Sequence, residues 1–304
     1  MYKEMQYTAE HTPAPDRANT VAVIMDSPSL HFRRYSKNDP VGGNLITGML
    51  GPIAKAGFAY DIHLIEDIEI IPDDYKTYIF INSFYLSDAQ RKTIKQRFGK
   101  NNNLLVFSYA AGYFTGDDNA AYSCDVKNMS SFLNMNMAVA ADCNAIPRGR
   151  MTGNYGNQVL AVSAKNPEAL YPLFYINDPA AKVMATFTDS SPELNGQAAM
   201  ALKDNGSYRT VYCGIPVWTP ELLRTLAALG GTHVYSQDKP TYVLRPGNGH
   251  ILLHTADAST ANIVLPRPAR RVYDVTNNRE LARNCSKLTV QIPRRSTIYL
   301  RIEE

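Results

Sequence analysis

Cysteine is scarce and unpaired in this sequence. Cys124, Cys143, Cys213 and Cys285 lie far apart among 304 residues, which argues against a zinc ribbon or a disulfide-rich scaffold and leaves four thiols expected to be free. Long apolar runs are missing as well: the longest, such as Leu104 to Phe107, are strand-sized, well below the roughly eighteen residues of a membrane span, so a soluble chain with no membrane partner is expected. There is little charge of one sign, with 31 basic and 28 acidic side chains and a net charge of +3. The cluster Arg267, Arg270, Arg271 has no interleaved aromatics and reads as a solvated loop, so no nucleic-acid partner is expected. Met1 to Thr20 is polar, holds Pro13 and Pro15, and offers neither the basic start nor the apolar run of an export signal; the compartment stays open. What is there is ordinary for a globular chain, 45% hydrophobic and 19% charged, and its length suggests about two domains.

The pattern opens with a buried strand, Val21 to Met25, that stops at Asp26. Leu45, Ile46, Met49, Leu50 and Ile53 recur at helical spacing and predict a helix from Val41 to Gly57, with Gly57 as its left-handed cap. Strands follow at Phe58 to Ile65, Thr77 to Ile81 and Leu104 to Phe107; Ser87 and Gln90 have the spacing of a capping box ahead of a helix, and another helix is expected within Ala120 to Leu133 behind Asp125. Asn134 to Pro192 is less periodic and yields strand candidates only at Val159 to Val162 and Val183 to Phe187. Gln197 to Leu202 and Arg209 to Gly214 flank the turn residues Asp204, Asn205 and Gly206 as a hairpin. Thr219, Pro220 and Glu221 start a helix that carries Leu222, Leu223, Leu226 and Leu229 to Gly230 and Gly231. Strands alternating with helices favour a largely parallel sheet wrapped by helices.

From His233 onward the character changes. Six short β-rich runs (Tyr242 to Leu244, Ile251 to His254, Asn262 to Leu265, Arg271 to Asp274, Lys287 to Ile292, Thr297 to Ile302) are separated by turn signals at Pro246-Gly247, Pro266 and Asn277-Asn278, which suits a small antiparallel sandwich or open barrel. The expected organisation is a polar tail at 1–19, an α/β domain at 20–231 and an antiparallel β domain at 232–304.

Open α/β sheets bind ligands beyond the carboxyl ends of their strands. Two such places carry suitable residues: Asp26, Ser27 and Ser29 after the first strand, and Ser108, Tyr109, Ala110, Ala111 and Gly112 after Phe107. A nucleophile elbow would set Ser or Cys two positions before Gly112, but Ala110 stands there, and alanine cannot attack a carbonyl. Ser108 in a shifted register has no histidine near it in sequence. The bend reads as a glycine-permitted turn, so no catalytic residue is assigned; Asp26, Ser27, Ser108, Tyr109 and Gly112 stand as candidate cleft residues.

Other motifs have plainer readings. Asp117 and Asp118 lack the alternating ligands of a calcium loop. His250 and His254, four apart on a strand, lie about 13 Å from each other, too far for one ion. Gly42-Gly43 could cradle an anion but lacks the rest of a phosphate-loop pattern. Neither metal nor cofactor is expected. The close set Tyr78, Tyr85, Tyr109 and Tyr113 allows sugar stacking and equally suits core and rim positions. No acidic pair suits glycosidic-bond cleavage, and the eightfold alternation of a catalytic barrel is missing.

The succession VAVIMDSPSLHF, INSFYLSDAQRKTIKQRF, LLVFSYAAGYF, YRTVYCGIPVWTPELLRTLAALGGTHVYS and HILLHTADASTANIVLPRPARRVYDVTNNREL resembles the region after the catalytic barrel in β-galactosidases of glycoside hydrolase family 42. The resemblance covers most of the chain. It implies a trimerisation domain of flavodoxin-like, class I glutamine amidotransferase-like fold, then a small antiparallel β domain. No position matches the family's catalytic acids, which belong to the barrel, and the amidotransferase nucleophile would fall near Ala110. The implied role is a non-catalytic accessory and oligomerisation region, its partner a second copy (as a trimer) or an upstream catalytic barrel. Two alternatives stay open: a carbohydrate-binding module, and a hydrolase or amidotransferase-like enzyme using Ser108, Asp26 and an unidentified base.

Overall fold

The computed structural model describes residues 15–32, 39–116, 122–140, 143–162, 167–239 and 241–304. They form two compact units. One comprises Ala22–Met49 and Ile62–Trp218; the other comprises the residues up to Val21, Leu50–Asp61 and Thr219–Glu304.

The first unit is built on an eleven-stranded sheet, whose residues 20–21 and 59–61 belong to the other unit. Its elements are Thr20–Met25 (β1), Ala59–Leu64 (β2), Thr77–Phe80 (β3), Asp88–Phe98 (α1), Asn103–Ser108 (β4), Val126–Leu133 (α2), Met137–Ala140 (β7), Arg148–Met151 (β8), Val159–Ala161 (β9), Leu173–Ile176 (β10), Lys182–Phe187 (β11), Ala198–Asp204 (β12) and Tyr208–Cys213 (β13), with a small separate ribbon of Phe114–Thr115 (β5) and Ser123–Cys124 (β6). The strand order is β2-β1-β3-β4-β13-β12-β11-β8-β9, with β10 and β7 attached beside β12. Every residue of β3 and β4 is buried, and a fully buried Val, Leu or Phe side chain contributes about 1.5–3 kcal/mol. The continuous apolar runs of the sequence are therefore the centre of the sheet.

The sheet is mixed, not largely parallel as expected. β3, β4 and β13 run parallel, whereas β13-β12, β12-β11, β11-β8, β8-β9 and β10-β7 are antiparallel. Parallel neighbours need a crossover of a dozen or more residues, which the helices of the first half supply; after Asn134 most connections are short. That stretch holds five strands where two were expected.

The helix expected over 41–57 is irregular: Gly42–Ile46 winds as a π turn, Thr47–Met49 as a 3-10 turn, and only Leu50–Ala54 is α-helical. A Cβ on Gly48 would lie 2.1 Å from the Gly43 carbonyl oxygen, and Pro52 has no N–H to donate. The capping box of α1 forms as expected: the Ser87 hydroxyl accepts from the Gln90 N–H, and the Gln90 side chain accepts from the Ser87 N–H. The helix behind Asp125 forms over Val126–Leu133, with the Asp125 side chain accepting from the Lys127 N–H, and 123–124 ahead of it pair as a strand.

In the second unit, Pro220–Gly230 (α3) is capped by Thr219 and ends at Gly231, φ 80°. Val243–Gly247 (β14), His250–Thr255 (β15), Ser259–Asp274 (β16), Arg279–Ile292 (β17) and Ser296–Glu303 (β18) form one antiparallel sheet in the order β14-β15-β18-β16-β17. Of the sandwich or open barrel expected, the strands form one antiparallel sheet, and residues from all five strands, among them Leu244, Leu253, Ile263, Val290 and Leu300, share one apolar cluster. Two expected strands are fused in β16, because Pro266 and Pro268 fall at the register shift between Val264 and Ala269, where the ladder requires no N–H. The turn expected at Pro246-Gly247 lies two residues on, at Asn248-Gly249, both with positive φ.

Candidate functional site

β1 and β3 end side by side: the Ile81 N–H donates to the Ile24 carbonyl, and Asp26 and Asn82 exchange two hydrogen bonds. β4 ends beside β3 at Ser108. The structure thus places both candidate groups at the carboxyl ends of interior strands on either side of β3, with Asn82 and Ser83 between them. Asp26 is buried; its Oδ1 accepts from the Ser29 N–H at 2.9 Å. Burial pushes its carboxyl up to about 7, opposed by hydrogen bonds from Ser29. Ser27 opens the turn, its carbonyl accepting from the Leu30 N–H. Ser83 Oγ, Ser108 Oγ and Asp26 Oδ2 are buried without a hydrogen-bond partner. No base is bonded to the Ser108 hydroxyl.

The bend after β4 is strained at Tyr109, not Ala110: Tyr109 has φ 53°, a region bulky side chains seldom occupy. Its surroundings hold it there. The Tyr109 N–H donates to the Cys213 carbonyl, its carbonyl accepts from the Tyr212 hydroxyl, and its own hydroxyl donates to the Pro172 carbonyl at 2.9 Å. Its ring meets Phe84 and Phe174 edge-on. Gly112, φ 67°, is closed in by Phe132 and Arg91: a Cβ there would lie 3.1 Å from Phe132 and 3.3 Å from Arg91. Arg91 also donates to the carbonyls of Leu86, Gly112, Phe114 and Asn128.

A cleft of about 530 Å³ opens over this bend, lined by Phe32, Asp39, Phe84, Tyr109, Ala110, Tyr113, Glu168 and Tyr171 among others. Of the five candidate residues only Tyr109 lines it. Asp26, Ser27, Ser108 and Gly112 lie outside its lining. Asp39, Glu168 and Tyr171 escaped the sequence reading because they stand in irregular chain, Glu168 and Tyr171 in the stretch that has no helical or strand period.

The remaining motifs resolve locally. Asp39 accepts from the N–H groups of Val41 and Gly42, so a carboxylate of the chain itself occupies the anion position before Gly43. Among the described residues no group of three His, Cys, Asp or Glu could hold a metal ion; Asp117 and Asp118 lie outside the described residues. His254 bonds Thr297, and His250 stacks on Tyr299. Arg267, Arg270 and Arg271 pair with Glu304, Glu303 and Glu280. Tyr78 stacks on Phe98 in the core, Tyr85 on Phe32, and Tyr113 packs on Phe174 at the cleft. All four cysteines are free, and burial pushes the Cys213 thiol up to about 12, far from a reactive thiolate. No helix is long and apolar enough to cross a membrane among the described residues.

No protein-family profile matches the sequence, and no curated protein does. Solved structures do. The β-galactosidase from Bacillus circulans sp. alkalophilus matches with a TM-score of 0.69 at 13% identity, over 99% of this chain and 44% of that one. A catalytic mutant of a GH42 β-galactosidase from G. stearothermophilus matches with a TM-score of 0.64 at 12% identity, over 93% and 40%. The β-galactosidase from Halorubrum lacusprofundi gives 0.62 at 11% identity, over 99% and 42%. The chain spans less than half the length of these proteins and shares the fold of a region within them.

Proposed function

We propose that this chain is a non-catalytic accessory and assembly region of the kind found in GH42-type β-galactosidases. In this reading the first unit is a class I glutamine amidotransferase-like, flavodoxin-like trimerisation domain that packs with further copies or with a catalytic barrel. The observation that carries the reading is the match of 99% of this chain to 44% of the Bacillus circulans enzyme. Two features of the chain support it. The bend after β4 presents Tyr109 and Ala110 where an enzyme of that fold would present a nucleophile. The edge strand β2 exposes Ile62 and Leu64 from one face, at 52% and 37%, an open ladder with apolar side chains that suits association.

Sedimentation velocity tests it. An oligomer, with trimer the expected state, that dissociates when Ile62→Arg and Leu64→Arg are combined is the expected result. A strictly monomeric chain at every concentration, with no affinity for a GH42 catalytic barrel added in trans, sinks the reading.

A further inference from the structure

A second cleft, of about 480 Å³, lies wholly in the unit that carries the five-stranded sheet. Arg245 of β14, Leu252 of β15 and Tyr299 of β18 stand opposite one another in cross-strand register. Their neighbours Leu244, Leu253, Ile298 and Leu300 belong to the apolar cluster, so by strand alternation this row lies on the other face, where it lines the cleft. The Arg245 guanidinium lies on the Tyr60 ring, 3.6 Å from its centroid. Its Nη1 is buried with no hydrogen-bond partner. An N–H held away from water without an acceptor costs about 1–3 kcal/mol, a cost that rotation of the guanidinium toward an oxygen-bearing occupant of the cleft would relieve.

The rest of the lining narrows the occupant. Asp16 and Asp61 border the cleft, with Asp16 Oδ2 also accepting from the Asn19 amide; two acidic residues beside the cleft disfavour an anion, and their carboxylates, each with several acceptor positions, favour a ligand that donates as well as accepts. Tyr299, stacked with His250 at 5.1 Å and 4°, and Tyr235 are half-buried rings in the same lining. Acceptors, donors, no charge and a flat C–H face together describe a sugar ring. We propose that this cleft binds an uncharged sugar residue. Arg245 donates to its hydroxyl oxygens, the carboxylates of Asp16 and Asp61 accept from its hydroxyls, and the rings of Tyr299 and Tyr235 pack against it. This goes beyond the assembly role: Tyr60, beneath the guanidinium, shares the Ile62 and Leu64 face of β2, but the residues assigned to the sugar do not include Ile62 or Leu64, so the sugar test and the assembly test read different substitutions.

Saturation-transfer NMR of the full chain with lactose, cellobiose and maltose, and with sodium galacturonate as the charged probe, tests the proposal. At least one neutral disaccharide should bind saturably, and Arg245→Gln should weaken it by about tenfold or more. Tyr299→Leu, which leaves the guanidinium in place, should weaken it as well, and thermal melts of both variants check that the fold persists. The proposal is overturned if none of the three neutral sugars binds, if only galacturonate binds, or if binding survives both folded variants and is lost instead in Tyr171→Ala at the other cleft.

Discussion

Asp26 and Asn82 grip each other twice where β1 and β3 end. The Asp26 N–H donates to Asn82 Oδ1 at 2.9 Å, and the Asn82 amide donates back to the Asp26 carbonyl at 2.7 Å. The pair locks the Asp26 backbone in place while leaving carboxylate Oδ2 buried and unpartnered. Desolvation therefore dominates, and the carboxyl sits at about 7 in the folded chain against 3.8 ordinarily.

The folded state thus binds a proton more tightly than the unfolded one. Stability contributed by protonated Asp26 is fully present below about pH 4 and is lost as pH rises toward 7, by up to about 4 kcal/mol across that window. Asp26→Asn keeps an acceptor for the Ser29 N–H and removes the ionisation. Urea midpoints measured from pH 4 to 8 should fall less steeply for the variant, which should be the more stable form at pH 8. Equal slopes would mean that the carboxyl is solvated.

Ser108 and Tyr109 are neighbours with opposite expected behaviour. The Ser108 hydroxyl is buried and bonds nothing, so Ser108→Ala should change stability by less than about 1 kcal/mol or raise it, and should leave any detected activity unchanged. Tyr109→Ala removes the hydroxyl bond to Pro172 and the ring contacts with Phe84 and Phe174. It should cost about 3–5 kcal/mol. Loss of an activity in Ser108→Ala at unchanged stability would revive a catalytic role for the bend.

Arg224 of α3 donates to three main-chain carbonyls, those of Lys55, Ala56 and Asp238. Arg224→Met leaves all three acceptors with no donor and should cost about 3–5 kcal/mol in chemical denaturation. Arg224→Lys, with one nitrogen in place of a planar fork, should recover less than half of that. Full recovery by lysine would show that only the charge matters.

What the sequence made legible follows from how locally each signal is encoded. Ser87 with Gln90, and Thr219 with Pro220, could be read because a cap is settled within four residues. β3 and β4 were legible because strands buried on both faces are continuously apolar. The strands between Asn134 and Pro192 were mostly hidden: Arg148–Met151 alternates arginine with Gly149 and Met151, and Gly149 is required by the approach of the Thr186 carbonyl, 2.7 Å from where a Cβ would be. That need comes from a strand almost forty residues away. Both clefts were illegible for the same reason. Arg245, Leu252 and Tyr299 are distant in sequence and form a row only through strand register.

Gly57 and Gly206 separate two demands that a glycine can meet. Both have φ near +80°, 79° at Gly57 and 82° at Gly206. Nothing lies within 4 Å of a Cβ built on Gly206, whereas one on Gly57 would sit 2.8 Å from the Ser236 carbonyl oxygen. That carbonyl belongs to a segment already held close, since the Tyr235 N–H donates to the Gly57 carbonyl at 2.7 Å. Gly206→Ala bears only the left-handed backbone cost, about 1–2 kcal/mol. Gly57→Ala adds displacement of the Ser236 backbone, and its loss should exceed that of Gly206→Ala by about 1–3 kcal/mol. Equal losses for the two variants in parallel urea titrations would mean that the 236 segment gives way freely and that conformation alone keeps glycine at position 57.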